Sequence, residues 1–352
     1  MVSPTQDSFH PKITLLVFGI SLMCSTLVIA IFLTIRFQCR EIGDRVSLRL
    51  IAWLSLSNIL VIVFQIWSRS IEPANTTYCT FSAWGLIFSK LVFVFLSCSI
   101  SLNLQFIFVH RLRKLKRFEF CYVFVSIVGA FILSMVTMPF GITGYTANGD
   151  PKCWFHERNT TGPMLWEVGS FLVWMILGLL YCLGSFIWIF IQLSVQRGKL
   201  ARMLVSAISP QATSLTQHDK LINFTATRIL FQVLVAPVSL TIFVVLEILS
   251  FFGQEATPDV KFLSLLFVSL QGILLLSVFT FDPALRLAWL QLRKNMARKY
   301  FQEADYSITR DEWKRRTISW IIPNAQVLAI ETKSSSRPIS QSRKRTDLVY
   351  WI

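Results

Sequence analysis

One ammonium group stands inside an apolar run. Lys90 lies 11 residues after Cys79, in a stretch from Phe81 to Val109 that is otherwise uncharged. On a helix, that spacing is about 16 Å of axial travel. A lysine at such a depth in lipid costs at least ~2.5 kcal/mol unless water or a counter-charge meets it. Lys90 is therefore expected to face a bundle interior or a wet cavity. Glu247 is its first-choice counter-charge and Glu167 its second. Two readings stay open, a structural ion pair and a base that contacts a ligand. Trp67, Trp84, Trp154 and Trp166 gather near the ends of apolar runs, as interfacial anchors do. Of these, Trp84 and Trp154 join Lys90, Glu247 and Gln271 as candidate pocket residues. The four His sit in no cluster with Asp or Glu, which argues against an enzyme. The seven Cys are scattered singly without a Cys-x-x-Cys pair, so neither a metal nor a cofactor is expected.

The elements that must position these groups are membrane spans. Of 352 residues, 54% are hydrophobic and 15% charged, more apolar than the roughly 45–50% of a soluble domain. About 20 apolar residues cross the hydrocarbon layer as a helix. Seven runs qualify: Ile13–Ile35, Val46–Trp67, Phe81–Val109, Phe120–Met138, Met164–Leu193, Ile229–Phe252 and Val260–Phe281. The expected fold is thus an all-α membrane protein, a seven-transmembrane helix bundle. Its expected parts are a short outer tail (1–12), the bundle (13–282), an amphipathic juxtamembrane helix (283–302) and a cytoplasmic tail (303–352). The first run is too long for a signal h-region, so no cleavable leader is expected. No internal repeat suggests the duplicated halves of a transporter.

The bases give the orientation. With the N-terminus outside, 28 of the 34 Lys and Arg fall on the inner side and 5 on the outer, Lys90 being the last. That asymmetry is a strong positive-inside signal. The formal charge of +15 then faces the anionic inner leaflet and an inner partner, and nucleic acid is not expected as a partner. The sequons at Asn75 and Asn159 both fall in outer loops, where glycosylation is available. Cys79, at the start of span three, and Cys153, between spans four and five, share that oxidising side. A disulfide and a pair of free thiols are the two readings, and the compartment favours the bridge. The other five Cys read as small apolar residues.

Local motifs narrow the class. SLNLQFIFVH, ending at His110, resembles the close of span three in the slime-mould cyclic-AMP-receptor-like receptors and their fungal relatives. SLRLIAWLSLSNIL is similar to their second span, with Asn58 where an acid is often found. SLQGILLLSVF resembles the Gln-Gly span seven shared with secretin-like receptors, and CWF (Cys153 to Phe155) the Cys-Trp of the second outer loop. No Asp-Arg-Tyr follows span three and no Asn-Pro-x-x-Tyr closes span seven, which separates the chain from rhodopsin-like receptors. The resemblance covers about Ile13 to Tyr300. It implies a G-protein-coupled receptor of the plasma membrane that matches the family's Cys pair at Cys79 and Cys153. It also implies a heterotrimeric G protein as inner partner and a small extracellular ligand of unread identity. A light-driven protein would need a lysine mid-way along span seven, and Lys261 lies at that span's edge. A small-solute transporter or channel is the alternative function.

The remaining candidates belong to packing and coupling. Asn58 and Asn103 are amides expected to bond across helices. Gly272 lets a neighbouring helix approach, and Pro237 removes a backbone hydrogen bond and is expected to kink span six. His110, Arg111, Arg113 and Lys114 at the inner end of span three, Arg197 and Lys199 beyond span five, and Arg228 before span six are candidate G-protein contacts. After Asp282-Pro283, Leu285, Trp289, Leu292, Met296 and Tyr300 recur at helical spacing opposite Arg286, Arg293, Lys294, Arg298 and Lys299. That pattern predicts a basic amphipathic eighth helix on the inner leaflet. The Ser-rich tail beyond is expected to be largely disordered.

Overall fold

The computed structural model describes residues 9–38, 46–70, 76–108, 116–138, 143–146, 152–155, 161–206, 231–249, 257–282, 285 and 287–291. The described residues are almost entirely helical. Helix α1 is Phe9–Gln38, α2 Val46–Ser70, α3 Thr76–Phe108 and α4 Lys116–Met135. An antiparallel hairpin follows, β1 Thr143–Thr146 and β2 Lys152–Phe155. Helix α5 (Thr161–Glu167) passes through a π turn, Val168–Leu172, into α6 (Val173–Ser206). Helix α7 is Phe231–Leu249. Helices α8 (Pro258–Ser269) and α9 (Gln271–Thr280) run on across Leu270, whose N–H donates to the Leu266 carbonyl and whose carbonyl accepts from Leu274. Pro258 at the first turn uses its fixed φ where no helical N–H partner exists.

With α8 and α9 taken as one continuous span, six helical spans are long and apolar enough to cross a bilayer, so the chain is an all-α, multi-pass membrane protein. The fourth run is shorter in its apolar part, Phe120–Met135, because Lys116, Arg117 and Glu119 occupy its first turn. Helix α3 is the core of the bundle. Of its apolar window 72% is buried, against 28% for α1. Hydroxyls tolerated inside these helices bond back to their own backbone: Ser97 to Phe93, Ser126 to Tyr122 and Ser239 to Val235, at 2.7–2.9 Å. This backbone pairing spares them an unmet donor in lipid. Two compact units divide the chain at Leu285. In the second, residues 287–291 are helical, and the rest of the expected eighth helix and the tail lie outside the described residues.

Candidate functional site

The site begins with a covalent tie. Cys79, in the first turn of α3, is disulfide-bonded to Cys153 on β2. The hairpin register pairs Tyr145 with Cys153 and Gly144 with Trp154, and Thr80 Oγ1 donates to the Thr143 carbonyl at 3.2 Å. Successive strand residues point to opposite faces, yet Cys153, Trp154 and Phe155 are all buried. The hairpin is therefore enclosed on both faces.

Trp154 carries the hairpin's contact with the helices. Its Nε1 donates to Glu167 Oε1 at 3.2 Å. Its ring meets Phe155, Phe171 and Phe243 edge-on, with centroids 5.5–6.2 Å apart. Phe171 belongs to the π turn, where Val173 donates to the Val168 carbonyl five residues back. That widened turn follows Glu167 directly, and both Glu167 and Phe171 face Trp154.

Lys90 closes the knot. Its Nζ stands 3.4 Å from the centroid of Phe243 and 5.2 Å from that of Trp154. Lys90 is 2% exposed, and a desolvated ammonium over an aromatic face gains about 2 kcal/mol or more. This gain is comparable with the cost of placing the charge in lipid. Glu247 is buried and sits one turn beyond Phe243 on α7, on the same helical face. Glu167 thus bonds the aromatic knot that holds the ammonium, and a second carboxyl, Glu247, is buried one turn along α7 from Phe243. The arrangement can orient α3, β2, the π turn and α7 about one cation, and can answer any displacement of that cation.

Phe243, Phe171 and Phe155 are the members that the sequence did not reveal. Two expected members stand elsewhere. Trp84 stacks on Phe88 at 5.6 Å and contacts Phe81 and Phe131, in an aromatic row along α2, α3 and α4. Six residues separate it from Lys90, which puts the two side chains about 120° apart around α3. Gln271 enters a second cluster: its Nε2 donates to Ser239 Oγ of α7 at 2.9 Å.

That second cluster joins four helices. Asn58 Nδ2 donates to Ser25 Oγ at 2.8 Å and to Ser21 Oγ at 3.4 Å. The Gly272 N–H donates to the same Ser21 oxygen at 3.1 Å. A Cβ on Gly272 would overlap the Ser21 carbonyl and stand 2.9 Å from its carbon. The close approach expected of Gly272 is therefore real, and Asn58 bonds between helices as expected. Asn103 is buried on α3, and its Oδ1 has no hydrogen-bond partner among the described residues. Its neighbour Gln105 ties α3 to α6, donating to Ser185 Oγ at 2.8 Å and accepting from Tyr181 at 3.0 Å. Pro237 lies buried within α7. Arg197 and Lys199 lie on the last turns of α6. Asn75, Asn159, His110, Arg111, Arg113, Lys114 and Arg228 lie outside the described residues.

No protein-family model matches the chain, and no curated protein matches it.

Proposed function

We propose that the chain is a seven-helix receptor of the plasma membrane, with its N-terminus outside. It passes the signal of a small extracellular ligand to a heterotrimeric G protein, in the manner of the cyclic-AMP-receptor-like group. The observation that carries this reading is the Cys79–Cys153 bridge, which fastens a buried hairpin to the head of α3 and sets Trp154 against Lys90. A transport path needs a hydrated series of ionisable groups. A cation enclosed by rings and held by a covalently tied plug suits ligand reception instead.

The bridge also supports a seventh crossing. Cys79 opens α3, and Cys153 follows α4, so α4 has to bring the chain back to the Cys79 side. Its apolar part, Phe120–Met135, spans about 24 Å, most of the hydrocarbon layer. The lysine and arginine asymmetry then puts the hairpin outside. Inside, the proposed partner surface comprises His110, Arg111, Arg113, Lys114, Arg197, Lys199 and Arg228, which would accept the carbonyl-rich end of a partner helix.

The test is expression in a host without receptors of its own, with a ligand screen read as cyclic-AMP change and as nucleotide exchange on the G protein. A hit should lose exchange in the Arg111→Ala, Arg228→Ala double variant while surface amount and orientation stay intact. Solute accumulation in vesicles without any exchange would favour the transporter instead.

A further inference from the structure

A pair of thiols meets inside the bundle, away from the disulfide. Cys98 Sγ of α3 lies 3.8 Å from Cys182 Sγ of α6, 84 residues apart in sequence. Cys98 donates to the Gly178 carbonyl at 3.5 Å, and the Ser101 hydroxyl is shared between the Ser97 carbonyl at 2.9 Å and Cys182 Sγ at 3.6 Å. Gly178 is what brings the helices this close. A Cβ there would overlap Val94 and stand 3.4 Å from Cys98 Sγ. Two turns further along α3, Gln105 bridges Ser185 and Tyr181, which fixes the register of the two helices. Cys182 is fully buried and Cys98 partly so.

We infer that Cys98 and Cys182 form a reversible redox modification site, closing to a second disulfide that clamps α3 to α6. A disulfide needs sulfurs about 2.05 Å apart. Rotation about χ1 and a small slide of helices packed at a glycine can supply the difference. The oxidant is a membrane-soluble organic hydroperoxide. The Cys98 thiol loses its proton and attacks the terminal peroxide oxygen. The O–O bond breaks, the alkoxide leaves as an alcohol with that proton, and Cys98 becomes a sulfenic acid. The Cys182 sulfur, whose negative charge the Ser101 hydroxyl can stabilise, attacks the Cys98 sulfur. The S–S bond forms and water leaves with the Cys182 proton. Two thiols and one hydroperoxide thus give one disulfide, one alcohol and one water. The competing reading is two small packing residues in contact.

The two readings separate on the full chain in membranes. The chain is treated with cumene hydroperoxide or with diamide, quenched with N-ethylmaleimide and digested without reductant. A peptide joining Cys98 to Cys182 should accumulate with either oxidant and vanish on thiol reduction, while Cys79–Cys153 stays bridged and Cys24 and Cys121 stay unjoined. The thermal midpoint should rise with the cross-link, and Cys98→Ser should abolish both changes. Ser101→Ala should slow closure several-fold, since a hydrogen bond to a charged group is lost. Recovery of Cys98 and Cys182 as maleimide adducts after both oxidants would overturn the site. So would oxidation of Cys98 that stops at a sulfinic acid, and an unchanged rate in Ser101→Ala would remove the Ser101 hydroxyl from the closing step.

Discussion

Gly272→Ala tests the tightest helix contact. The added methyl group would overlap the Ser21 carbonyl and lie 2.9 Å from its carbon. These are backbone atoms, so no rotamer change relieves the overlap and α1 has to move away from α9. Overpacking of this kind costs about 1–3 kcal/mol. Moving α1 also breaks the 3.1 Å bond from the Gly272 N–H to Ser21, worth about 1 kcal/mol. Against this, Ala is better than Gly inside a helix by about 1 kcal/mol. The net loss is therefore about 1–3 kcal/mol. Gly184→Ala on α6 is the matched control, because its new methyl group meets nothing within 4 Å and only the helical gain remains. Thermal unfolding of both variants in lipid nanodiscs should lower the midpoint of Gly272→Ala by several degrees and leave Gly184→Ala level or higher. Equal midpoints would refute the close approach and, with it, the Ser21 bond.

Breaking the disulfide with Cys153→Ser should cost about 4 kcal/mol by the chain-entropy estimate for a 74-residue separation. It should also reduce surface expression, and non-reducing peptide mapping that finds Cys79 and Cys153 free in the parent protein would remove the claim. Lys90→Met and Phe243→Leu share one desolvated cation–π contact, so the double variant should be less destabilised than the sum of the singles by about 2 kcal/mol in a double-mutant cycle. Strict additivity in midpoint would count against the knot. Lys90→Met and Glu247→Gln should likewise be non-additive in stability or ligand response. Gln105→Leu removes two interhelical bonds of roughly 0.6 kcal/mol each, and a midpoint no lower than the parent's would show that α3 and α6 do not depend on them.

The spans were legible because 20 apolar residues in a row admit few other solutions in lipid. Boundaries were less so: α3 starts at Thr76 instead of Phe81, since the polar Thr76-Thr77 pair hides a first turn stabilised by the bridge at Cys79. The hairpin carries no long alternation. Its two strands are four residues each, and the disulfide holds them against α3. Lys90 and Glu167 stood out because a charge in an apolar run is costly. Phe243 and Phe171 did not, because one phenylalanine among thirty has no signature of its own. The π turn and the Cys98–Cys182 contact depend on packing between segments far apart in sequence, which hydropathy does not record. Trp84, a candidate from its place at the end of an apolar run, packs in the aromatic row with Phe81, Phe88 and Phe131.

The two polar clusters meet on one element. Lys90, Trp154, Glu167 and Phe171 reach α7 at Phe243, whereas Asn58, Ser21, Gly272 and Gln271 reach it at Ser239. Those two α7 residues are four apart, one helical turn. Among the described helices, α7 alone has side chains in both clusters. Ser239 accepts from Gln271 while donating to the Val235 carbonyl, so its hydroxyl is held from both sides. Pro237 stands two residues earlier and has no N–H to give the carbonyl of Val233, which leaves this stretch of α7 short of one backbone bond. A displacement of Phe243 by a ligand at Lys90 would therefore meet its least resistance at Pro237 and its first load at the Gln271–Ser239 bond. In the proposed receptor that order makes α7 the moving helix and α1, α2 and α9, pinned through Ser21, the frame against which it moves.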